Sequence, residues 1–431
     1  MKKLYNATII TQTGECLSHK DIYIKNGRIT RICESGTLQP DQETSEVIDC
    51  TAYFVSPGLV NLHAHTAMNI FKGIAEDVPP EIWFNQMIWP YESKMTEEDI
   101  YTGTLLGIAE MINNGVTAAA DHYFGEEQVL RAAKDTGFRM DIAPTIFGAA
   151  PDFHDRLAQV SEFIQNHADD SSRIKLRFGP HSDYTCPEDT LAEIVSEAKK
   201  MGLPIHLHLS ETQLQVEQSL QCTGKTPFRV LYDAGGFELP VLVAHGLWIT
   251  EKDLECINEN TWFAFCPKTY MRLAAGKGGF FDFSDRLNYS FGSDGAASSG
   301  TVNPLEQARL FAMLEKFDRN DAAIHPSLEV WQRLMAGHAV FGAETGKIEE
   351  NAAADLVIWD LQTPDTMAFY HPVAAILYAA TGANVRYTMV EGEFLKYDGV
   401  LKMNFSEIAQ EAMRLQKNLL ARGKGTAKVY Y

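Results

Sequence analysis

Histidine and acidic residues recur in this sequence at the ends of short apolar segments, in patterns that suit metal binding. His63 and His65 close the apolar run that follows Gly58 and form an H-x-H pattern. On a β-strand, residues i and i+2 point to the same side, so both imidazoles face one space. Two imidazoles that converge from one strand are a natural chelate for a divalent metal.

Further apolar segments end in the same way. His206 and His208 alternate in one of them, with Glu211 just beyond, while His245 and Asp294 end two others. An H-x-H pair alone is weak evidence, because polar pairs often start loops. The recurrence of histidines and acids at several segment ends favours one shared, metal-dependent active site over unrelated polar loop starts.

These segments belong to a repeated pattern in the middle of the chain, where predicted strands alternate with amphipathic predicted helices. Eight strands are predicted, at 59–63, 116–120, 140–145, 175–179, 204–209, 239–245, 262–266 and 289–293. This alternation favours an α/β fold, a (β/α)8 TIM barrel, in which catalytic residues gather at the C-terminal strand ends. An open doubly wound sheet is the alternative, but no G-x-G-x-x-G follows the first strand.

Two of the intervening helices have readable ends. Thr96 and Asp99 predict a capping box at the start of helix 96–113. Pro187 and Gly202 predict the start and the end of another helix, since proline favours helix starts and glycine favours helix ends.

Both ends of the chain differ from the middle. Asn26-Gly27 predicts a hairpin turn between two alternating strands, and the last eighty or so residues show similar short strands. We therefore expect one small sheet domain assembled from both termini. The predicted division is 1–56 and 347–431 for that domain, with 57–346 for the catalytic barrel.

Composition narrows the functional class. The 431 residues carry a net charge of −20, which argues against a nucleic-acid partner, because such binding requires lysines and arginines to neutralise phosphates. The seven cysteines are scattered and contain no C-x-x-C pair, as in reduced cytosolic proteins. No apolar run is long enough for a membrane span. We expect a cytoplasmic protein that acts on a small molecule.

The sequence resembles the amidohydrolase superfamily in four motifs: Pro57-Gly58-Leu59-Val60-Asn61-Leu62-His63-Ala64-His65, His208-x-x-Glu211, Ala244-His245 and Ser293-Asp294-Gly295-Ala296. It is most similar to the branch that contains the S-adenosylhomocysteine/methylthioadenosine deaminases and triazine hydrolases such as atrazine chlorohydrolase. The similarity extends over essentially the whole chain. It implies a (β/α)8 barrel with a small β-sandwich domain formed by the N- and C-terminal segments.

The resemblance also implies a role for each site residue. One divalent metal ion, zinc in preference to iron, would be bound by His63, His65, His208 and Asp294. Three neutral imidazoles and a carboxylate suit zinc and leave a position for water. Asp294 would take the proton of that water, Glu211 would protonate a ring nitrogen of the substrate, and His245 would hydrogen-bond the nucleophile. The implied reaction is attack of metal-bound hydroxide on an amino-substituted heteroaromatic ring, with release of ammonia.

Other positions are predicted to surround the substrate. By resemblance, His181 contacts the substrate ring and Glu92 hydrogen-bonds ribose hydroxyls. Three aromatic residues are predicted either to form a wall for a flat ring or to pack in the core: Trp83, Trp89 and Tyr91. His206, one layer deeper than His208, is expected to pack behind the ligands. His122 is predicted either to line the same mouth or to cap a loop.

Two departures from the family pattern concern substrate choice. An arginine that reads the amino-acid carboxylate of S-adenosylhomocysteine is absent, and Pro144 stands at or next to its place. The common His-Asn-Pro-x-Ser-Asn segment is replaced by Phe265-Cys266-Pro267-Lys268-Thr269-Tyr270. We expect both changes to alter the pocket above the metal. Lys268 and Arg272 are expected either to contact an anionic group of the substrate or to lie on a solvated basic loop.

Deamination of a purine-like or other amino-heterocyclic compound is the leading functional prediction. The alternatives are loss of a halide or thiolate from a triazine-like ring and, more remotely, a non-catalytic scaffold. Scaffold descendants usually lose metal ligands, and none is lost here. A homo-oligomer, dimeric or larger, is expected from the resemblance.

Overall fold

Nineteen β-strands form within residues 1–37, 44–78, 82–168 and 170–423, which the computed structural model describes. In chain order they are β1 Lys2–Ile10, β2 Cys16–Lys25, β3 Arg28–Glu34, β4 Glu46–Asp49, β5 Phe54–Pro57, β6 Leu59–His65, β7 Val116–Tyr123, β8 Arg139–Ile146, β9 Ile174–Leu176, β10 Gly179–Pro180, β11 Ile205–Leu209, β12 Val241–His245, β13 Thr261–Phe265, β14 Asn288–Phe291, β15 Asp294–Gly295, β16 Leu356–Trp359, β17 Val385–Val390, β18 Glu393–Tyr397 and β19 Val400–Leu401.

Fourteen α-helices lie in the same described ranges. They are α1 Trp89–Glu92, α2 Glu97–Asn113, α3 Glu126–Thr136, α4 Phe153–His167, α5 Glu188–Met201, α6 Gln213–Thr223, α7 Pro227–Asp233, α8 Pro267–Arg272, α9 Phe280–Phe283, α10 Ala296–Ser299, α11 Pro304–Arg319, α12 Ser327–Ala336, α13 Pro372–Tyr378 and α14 Phe405–Arg422. A π-helical turn, Trp83–Ile88, precedes α1, and a 3-10 helix, Thr66–Phe71, follows β6. Over the described residues, none of the helices has the length and apolar character needed to cross a membrane.

The middle of the chain forms parallel sheets, as the alternating pattern predicts. Strands β6, β7 and β8 are parallel neighbours, and β11 to β14 form a second parallel set. Phe178 bridges to Ile205 between the two sets on one side, and β15, just after β14, pairs with β6 on the other. The strand ends that carry the predicted site residues therefore meet.

The fourth predicted strand, 175–179, is split in the structure into β9 and β10. Between them, Arg177 N–H donates to Ile142 O of β8 at 2.9 Å, and Phe178 N–H donates to Pro204 O at 3.0 Å. Successive backbone groups thus bond to the strands on opposite sides, as in an interior strand. The other seven predicted strands are confirmed with end shifts of a few residues.

Both predicted helix boundaries are confirmed. Thr96 and Asp99 form the reciprocal capping box of α2. Pro187 precedes α5, and Gly202 ends it in the left-handed conformation, with a φ of 66°.

Both chain ends contribute to one nine-stranded sheet, in the order β19-β18-β17-β16-β5-β1-β2-β3, with β4 beside β1. The two ends join where β5 pairs antiparallel with β16. The hairpin turn at Asn26-Gly27 is confirmed, since both residues have positive φ angles, 52° and 78°. Strand β5 ends at Pro57 and β6 begins at Leu59, beside the predicted boundary, but the division into domains stays a prediction. Residues 424–431 of its last segment lie outside the described residues.

The long C-terminal helix α14 was not expected from the strand-like pattern of the last eighty residues. Asn404 caps it, and Ala412, Leu415 and Leu419 form its buried stripe. Gln416 Nε2 donates to Ile70 O at 2.7 Å, in the 3-10 helix after β6. The last helix of the chain thus fastens the loop that follows the first two site histidines.

Candidate active site

The predicted metal and catalytic side chains lie together at the C-terminal ends of the parallel strands. His63 and His65 extend from β6, His208 from β11, His245 from the last position of β12 and Asp294 from the first position of β15. His245 and Asp294 have positive φ angles, 71° and 59°. Non-glycine residues seldom adopt this left-handed conformation, and it persists at sites where the surrounding structure imposes it.

The distances between these side chains are short enough for a shared ion. His65 Nε2 lies 3.3 Å from His208 Nε2, and Asp294 Oδ1 lies 3.2 Å from His65 Nε2 and 3.6 Å from His63 Nε2. In each of two overlapping triplets the potential ligand atoms lie within 4.8 Å of one another; the triplets are His63, His65, His208 and His63, His245, Asp294. Two ligands about 2.05 Å from a tetrahedral zinc ion are separated by about 3.3 Å.

The hydrogen-bond partners show where the imidazole protons lie. His65 Nδ1 is 2.5 Å from His122 O, and His208 Nδ1 is 2.8 Å from His181 O. A carbonyl oxygen only accepts, so both Nδ1 atoms carry protons, and each ring in its neutral form presents its Nε2 lone pair to the other. His63 Nε2 is buried and has no hydrogen-bond partner among the described residues. These facing lone pairs and the Asp294 carboxylate fit a bound cation.

The pKa values are consistent with that assignment. Burial lowers the pKa of His208 to about 3. Burial also opposes protonation of His65, but the hydrogen bond and charge of Asp294 raise its pKa to about 9. Burial opposes the charged form of Asp294, but the adjacent imidazoles of His63 and His65 outweigh it and hold the pKa of this carboxyl well below its ordinary value. The carboxylate is therefore charged, and a cation has to replace one proton at His65.

A second group of side chains orients the ligands. His206 Nε2 lies 3.0 Å from His63 Nδ1, so His206 stands behind the ligand set, as predicted. On the far side of Asp294, Oδ2 accepts hydrogen bonds from Ser298 Oγ at 2.7 Å and Thr269 Oγ1 at 3.1 Å. Its Oδ1 atom is thereby directed toward the histidines.

Glu211 and His245 lie beside the ligand set. Burial, followed by the nearby charge of Asp294, raises the pKa of Glu211 to about 7. Burial lowers the pKa of His245 to about 4, so this ring is neutral near pH 7. The Nδ1 atom of His245 lies 3.2 Å from the hydroxyl of Tyr270. The site thus holds a carboxyl group that can donate a proton and a neutral imidazole, each fixed by neighbours.

A cavity of about 700 Å³ opens above this centre. His181 and Glu92, both predicted to contact substrate, line it. The ring of Phe147 lies 4.8 Å from that of His181, and the Tyr123 hydroxyl donates to Glu92 Oε1 at 2.6 Å. Trp89 is not among the lining residues; it is 39% exposed and lies 6.0 Å from Phe147, ring centre to ring centre. Trp83, also predicted for the wall, does line the cavity, together with Phe84, Phe147, Tyr184 and Trp248.

Neither Lys268 nor Arg272, for which the sequence left open a substrate contact or a solvated loop, lines the cavity. Lys268 Nζ donates to Glu306 Oε1 at 2.7 Å and to Thr301, while Arg272 donates to Ser298 O at 2.8 Å and pairs with Glu76. The positive charge of each side chain is therefore compensated by its own glutamate partner. Of the described residues that line the cavity, none is a lysine or an arginine.

Two further predicted positions fall at the same strand ends. His122 is buried and lines the cavity, and its Nδ1 lies 3.2 Å from Thr145 Oγ1. Its carbonyl orients His65, which is a role that side-chain patterns do not indicate. Pro144 is buried in β8, one residue before Thr145, which faces the cavity.

Sequence reasoning missed several residues that position or surround the site. Thr269 and Tyr270 belong to the segment identified only as a departure from the family pattern, and Ser298 lies four residues after Asp294. Phe147 directly follows β8, and its place just beyond a strand end was the available signal. The 265–270 segment was expected to alter the pocket above the metal; its Thr269 and Tyr270 side chains contact Asp294 and His245 instead.

Comparison with known proteins decides the family. The model of the amidohydrolase family matches residues 54–395. The chain belongs to the amidohydrolase family. This amidohydrolase is 33% identical to the 5-methylthioadenosine/S-adenosylhomocysteine deaminase of Dictyoglomus turgidum over 408 residues, 94% of this chain and 95% of that one. It is 30% identical to the 5'-deoxyadenosine deaminase of Methanosarcina mazei, across 98% of each chain.

Solved structures share the fold of this amidohydrolase. The zinc-bound adenosine deaminase of Xanthomonas campestris matches with a TM-score of 0.92 at 24% identity, covering 97% of this chain and 98% of that one. The zinc-bound atrazine chlorohydrolase of Arthrobacter aurescens matches with a TM-score of 0.83 at 20% identity, covering 96% of this chain and all of the other. The resemblance to the amidohydrolases is therefore confirmed, and the protein is a hydrolase of that family.

Proposed function

We propose that this amidohydrolase deaminates an uncharged, adenosine-like nucleoside or a related amino-heterocycle and releases ammonia. The observation that carries the proposal is the buried group of three histidines and one aspartate, with Glu211 beside it at a pKa of about 7. Relatives that match nearly the whole chain at 30–33% identity are named as deaminases of adenosine derivatives.

We infer that His63, His65, His208 and Asp294 bind one divalent metal ion, zinc in preference to iron. Such an ion, when bound, supplies the Lewis acidity that makes a water molecule nucleophilic at neutral pH. Asp294 Oδ1 faces the place of the ion, so its carboxylate accepts the proton of that water. His245 donates a hydrogen bond to the oxygen that attacks the ring.

Glu211 completes the chemistry at the substrate. Its protonated carboxyl transfers a proton to the ring nitrogen beside the amino-bearing carbon, which makes that carbon electrophilic. Water adds its oxygen to this carbon, and the proton held by Asp294 passes to the amino nitrogen as the carbon–nitrogen bond breaks and its electron pair leaves on ammonia. The hydroxyl proton that remains on the carbon-bound oxygen returns to the Glu211 carboxylate as the carbonyl forms, which restores the acid. The products are the oxo-heterocycle and ammonia.

The cavity supports a flat substrate that carries no negative charge. Phe147 and His181 offer ring faces for a heterocycle, and the buried Glu92 offers a carboxylate to hydroxyl groups of a sugar. Burial raises the pKa of Glu92, and the hydrogen bond from Tyr123 opposes this rise. A phosphate or carboxylate of a substrate would lie near the acidic side chains of the cavity, Glu92, Glu211 and Asp294. No lysine or arginine among the described lining residues would compensate for its negative charge.

Ammonia release tests the proposal. Metal-analysed protein is incubated with adenosine, 5'-deoxyadenosine, aminopurines, pterins and amino- or chlorotriazines. We expect ammonia from an adenosine derivative. Chloride release from a chlorotriazine without ammonia from any nucleoside would favour the triazine hydrolase alternative, and no turnover with one equivalent of bound metal would contradict the deaminase.

The remaining expectations stand as proposals. We infer that the two parallel strand sets close into a (β/α)8 barrel and that the terminal sheet corresponds to the family's small β-sandwich. We also propose a cytoplasmic homo-oligomer that does not bind nucleic acid. Zinc analysis and sedimentation of the purified protein test the metal and the oligomeric state directly.

A further inference from the structure

We propose that Tyr270 is a positioning residue that holds His245 as the tautomer protonated at Nε2, so that this histidine donates a hydrogen bond into the active site. The catalytic meaning of this arrangement rests on the deaminase function proposed above. The arrangement itself follows from the hydrogen bonds around one buried hydroxyl group.

The Tyr270 hydroxyl lies among three polar groups of the described residues: the backbone N–H of Cys266, the Cys266 thiol and His245 Nδ1. The backbone N–H of Cys266 donates to it at 3.0 Å, and His245 Nδ1 lies 3.2 Å away. A backbone amide can only donate, so the oxygen accepts from Cys266 and its own proton is free for Nδ1. If Nδ1 carried a proton instead, the oxygen would receive two donors, and the buried hydroxyl proton would have only the Cys266 sulfur, a weak acceptor, in the described part of the chain. Full satisfaction of these buried groups therefore places Nδ1 as an acceptor.

A neutral imidazole carries one proton, so an accepting Nδ1 leaves that proton on Nε2. The Nε2 atom of His245 points into the site, 3.7 Å from Glu211 Oε1. The backbone at His245 is left-handed, with a φ of 71°, and the Tyr270 hydroxyl contacts the Nδ1 edge of its ring. The ring therefore presents a donor to any oxygen that forms beside the metal ligands.

The same short helix, α8, also orients the aspartate. Thr269, the neighbour of Tyr270, donates to Asp294 Oδ2 at 3.1 Å. Two consecutive residues, Thr269 and Tyr270, thus orient the carboxylate of Asp294 and the imidazole of His245. Since a hydrogen bond from His245 gains strength as negative charge develops on the attacking oxygen, its loss affects kcat more than KM.

The tautomer is measured first, on the wild-type metal-loaded protein with ¹⁵N-labelled histidine. The signals of His245 are assigned by their absence in His245→Asn. We expect Nδ1 to show the shift of an unprotonated nitrogen and Nε2 that of a protonated one. A protonated Nδ1 in the wild-type protein would overturn the proposal whether or not any nucleoside is deaminated, so failure of the tautomer and failure of the proposed function are distinguishable.

The variant Tyr270→Phe then tests the consequence. We expect kcat to fall by about 10- to 100-fold, because removal of one such donor costs about 10²–10³ and the ring is here only released. The KM and the bound metal should stay unchanged, and the His245 signals should show both tautomers. Tyr289→Phe is the matched control, since Tyr289 is equally buried in β14 and should keep the wild-type kcat. A wild-type kcat and tautomer in folded Tyr270→Phe would refute the positioning role.

Discussion

Glu211 and His245 face each other beside the proposed metal ligands, with Glu211 Oε1 3.7 Å from His245 Nε2. Burial is the main cause of both pKa shifts, yet it moves them in opposite directions: the carboxyl rises to about 7 and the imidazole falls to about 4. Burial disfavours the charged form of each group, so near pH 7 the imidazole is neutral and about half of the carboxyl groups are protonated. Burial thus favours both the protonated carboxyl of Glu211, which can act as an acid, and the neutral imidazole of His245, which can donate a hydrogen bond.

Substitution of Glu211 by glutamine should lower kcat by about 10²- to 10⁴-fold, because the amide cannot deliver a proton to the substrate ring. Metal content should not change, since Glu211 is not among the inferred ligands. Ammonia release and metal analysis of the same samples measure both quantities. The control is Glu217→Gln, an exposed glutamate of α6. An undiminished kcat in Glu211→Gln would exclude the acid role.

Removal of one imidazole should empty the metal site. We expect His208→Ala to retain much less than one equivalent of metal and to lose activity. Only three of the four proposed ligands remain in this variant, and they bind the ion more weakly than the full set. The exposed His154 serves as control, and His154→Ala should keep both metal and activity. Elemental analysis after dialysis against a weak chelator gives the result; full metal content in His208→Ala would contradict the ligand assignment.

Metal affinity should depend on pH in a direction set by His65. In the metal-free protein its pKa is about 9, since burial is outweighed by Asp294, so the ring carries a proton at pH 7. The metal must displace that proton below pH 9, and affinity should rise about tenfold per pH unit from pH 7 to pH 8.5 and level off above. Calorimetry in two buffers with different ionisation heats should show release of about one proton at pH 7. A pH-independent affinity over this range would refute the prediction.

The aromatic wall should contribute to substrate binding through Phe147 and not through Trp89. Loss of a stacking ring removes about 0.5–1.5 kcal/mol, so Phe147→Leu should raise KM by about 2- to 10-fold with a smaller change in kcat. Trp89→Leu should leave KM near the wild-type value, because that ring lies outside the cavity lining. Steady-state kinetics on the same nucleoside compare the two variants, and a larger KM effect at Trp89 would restore it as a substrate contact.

Lys268 is paired with Glu306 and does not line the cavity, so we expect the enzyme to prefer uncharged substrates over anionic ones. Lys268→Ala should not change KM for the substrate, since its ammonium group is bound to Glu306 and Thr301.

Adenosine derivatives with a free phosphate or carboxylate should have lower kcat/KM than uncharged ones. Equal kcat/KM for adenosine and its 5'-phosphate would show that the substrate charge is compensated by some other group.

Much of the fold and site could be predicted from the sequence because both rest on short-range regularities. Alternate residues on a strand share a side, so His63 and His65 had to converge, and strand ends of a parallel sheet had to bring His208 and Asp294 to them. The capping box at Thr96 is likewise a local signal. Each of these predictions needed only spacing and residue type.

The rest depended on contacts between distant segments. Tyr270 reaches His245 from another strand end, and no spacing within the chain indicates that hydrogen bond. The partners of Lys268 lie more than thirty residues away, so a basic loop could not be distinguished from a substrate contact. The helix α14 was missed because its stripe of Ala412, Leu415 and Leu419 is narrow and follows a run of true strands.

The pairing of β5 with β16 has a consequence for synthesis of the protein. Pro57 lies opposite Leu356 in the sheet, so nearly three hundred residues must leave the ribosome before the N-terminal strands gain their neighbour. Until then the edge of β5 offers unpaired backbone groups, the kind of surface through which nascent chains associate with one another or with chaperones. Helix α14, which fastens the loop after His65, emerges later still. The loop after His65 is therefore fastened only after the candidate catalytic side chains have been synthesised, and a chain that stops short of residue 405 would carry all of them without this fastening.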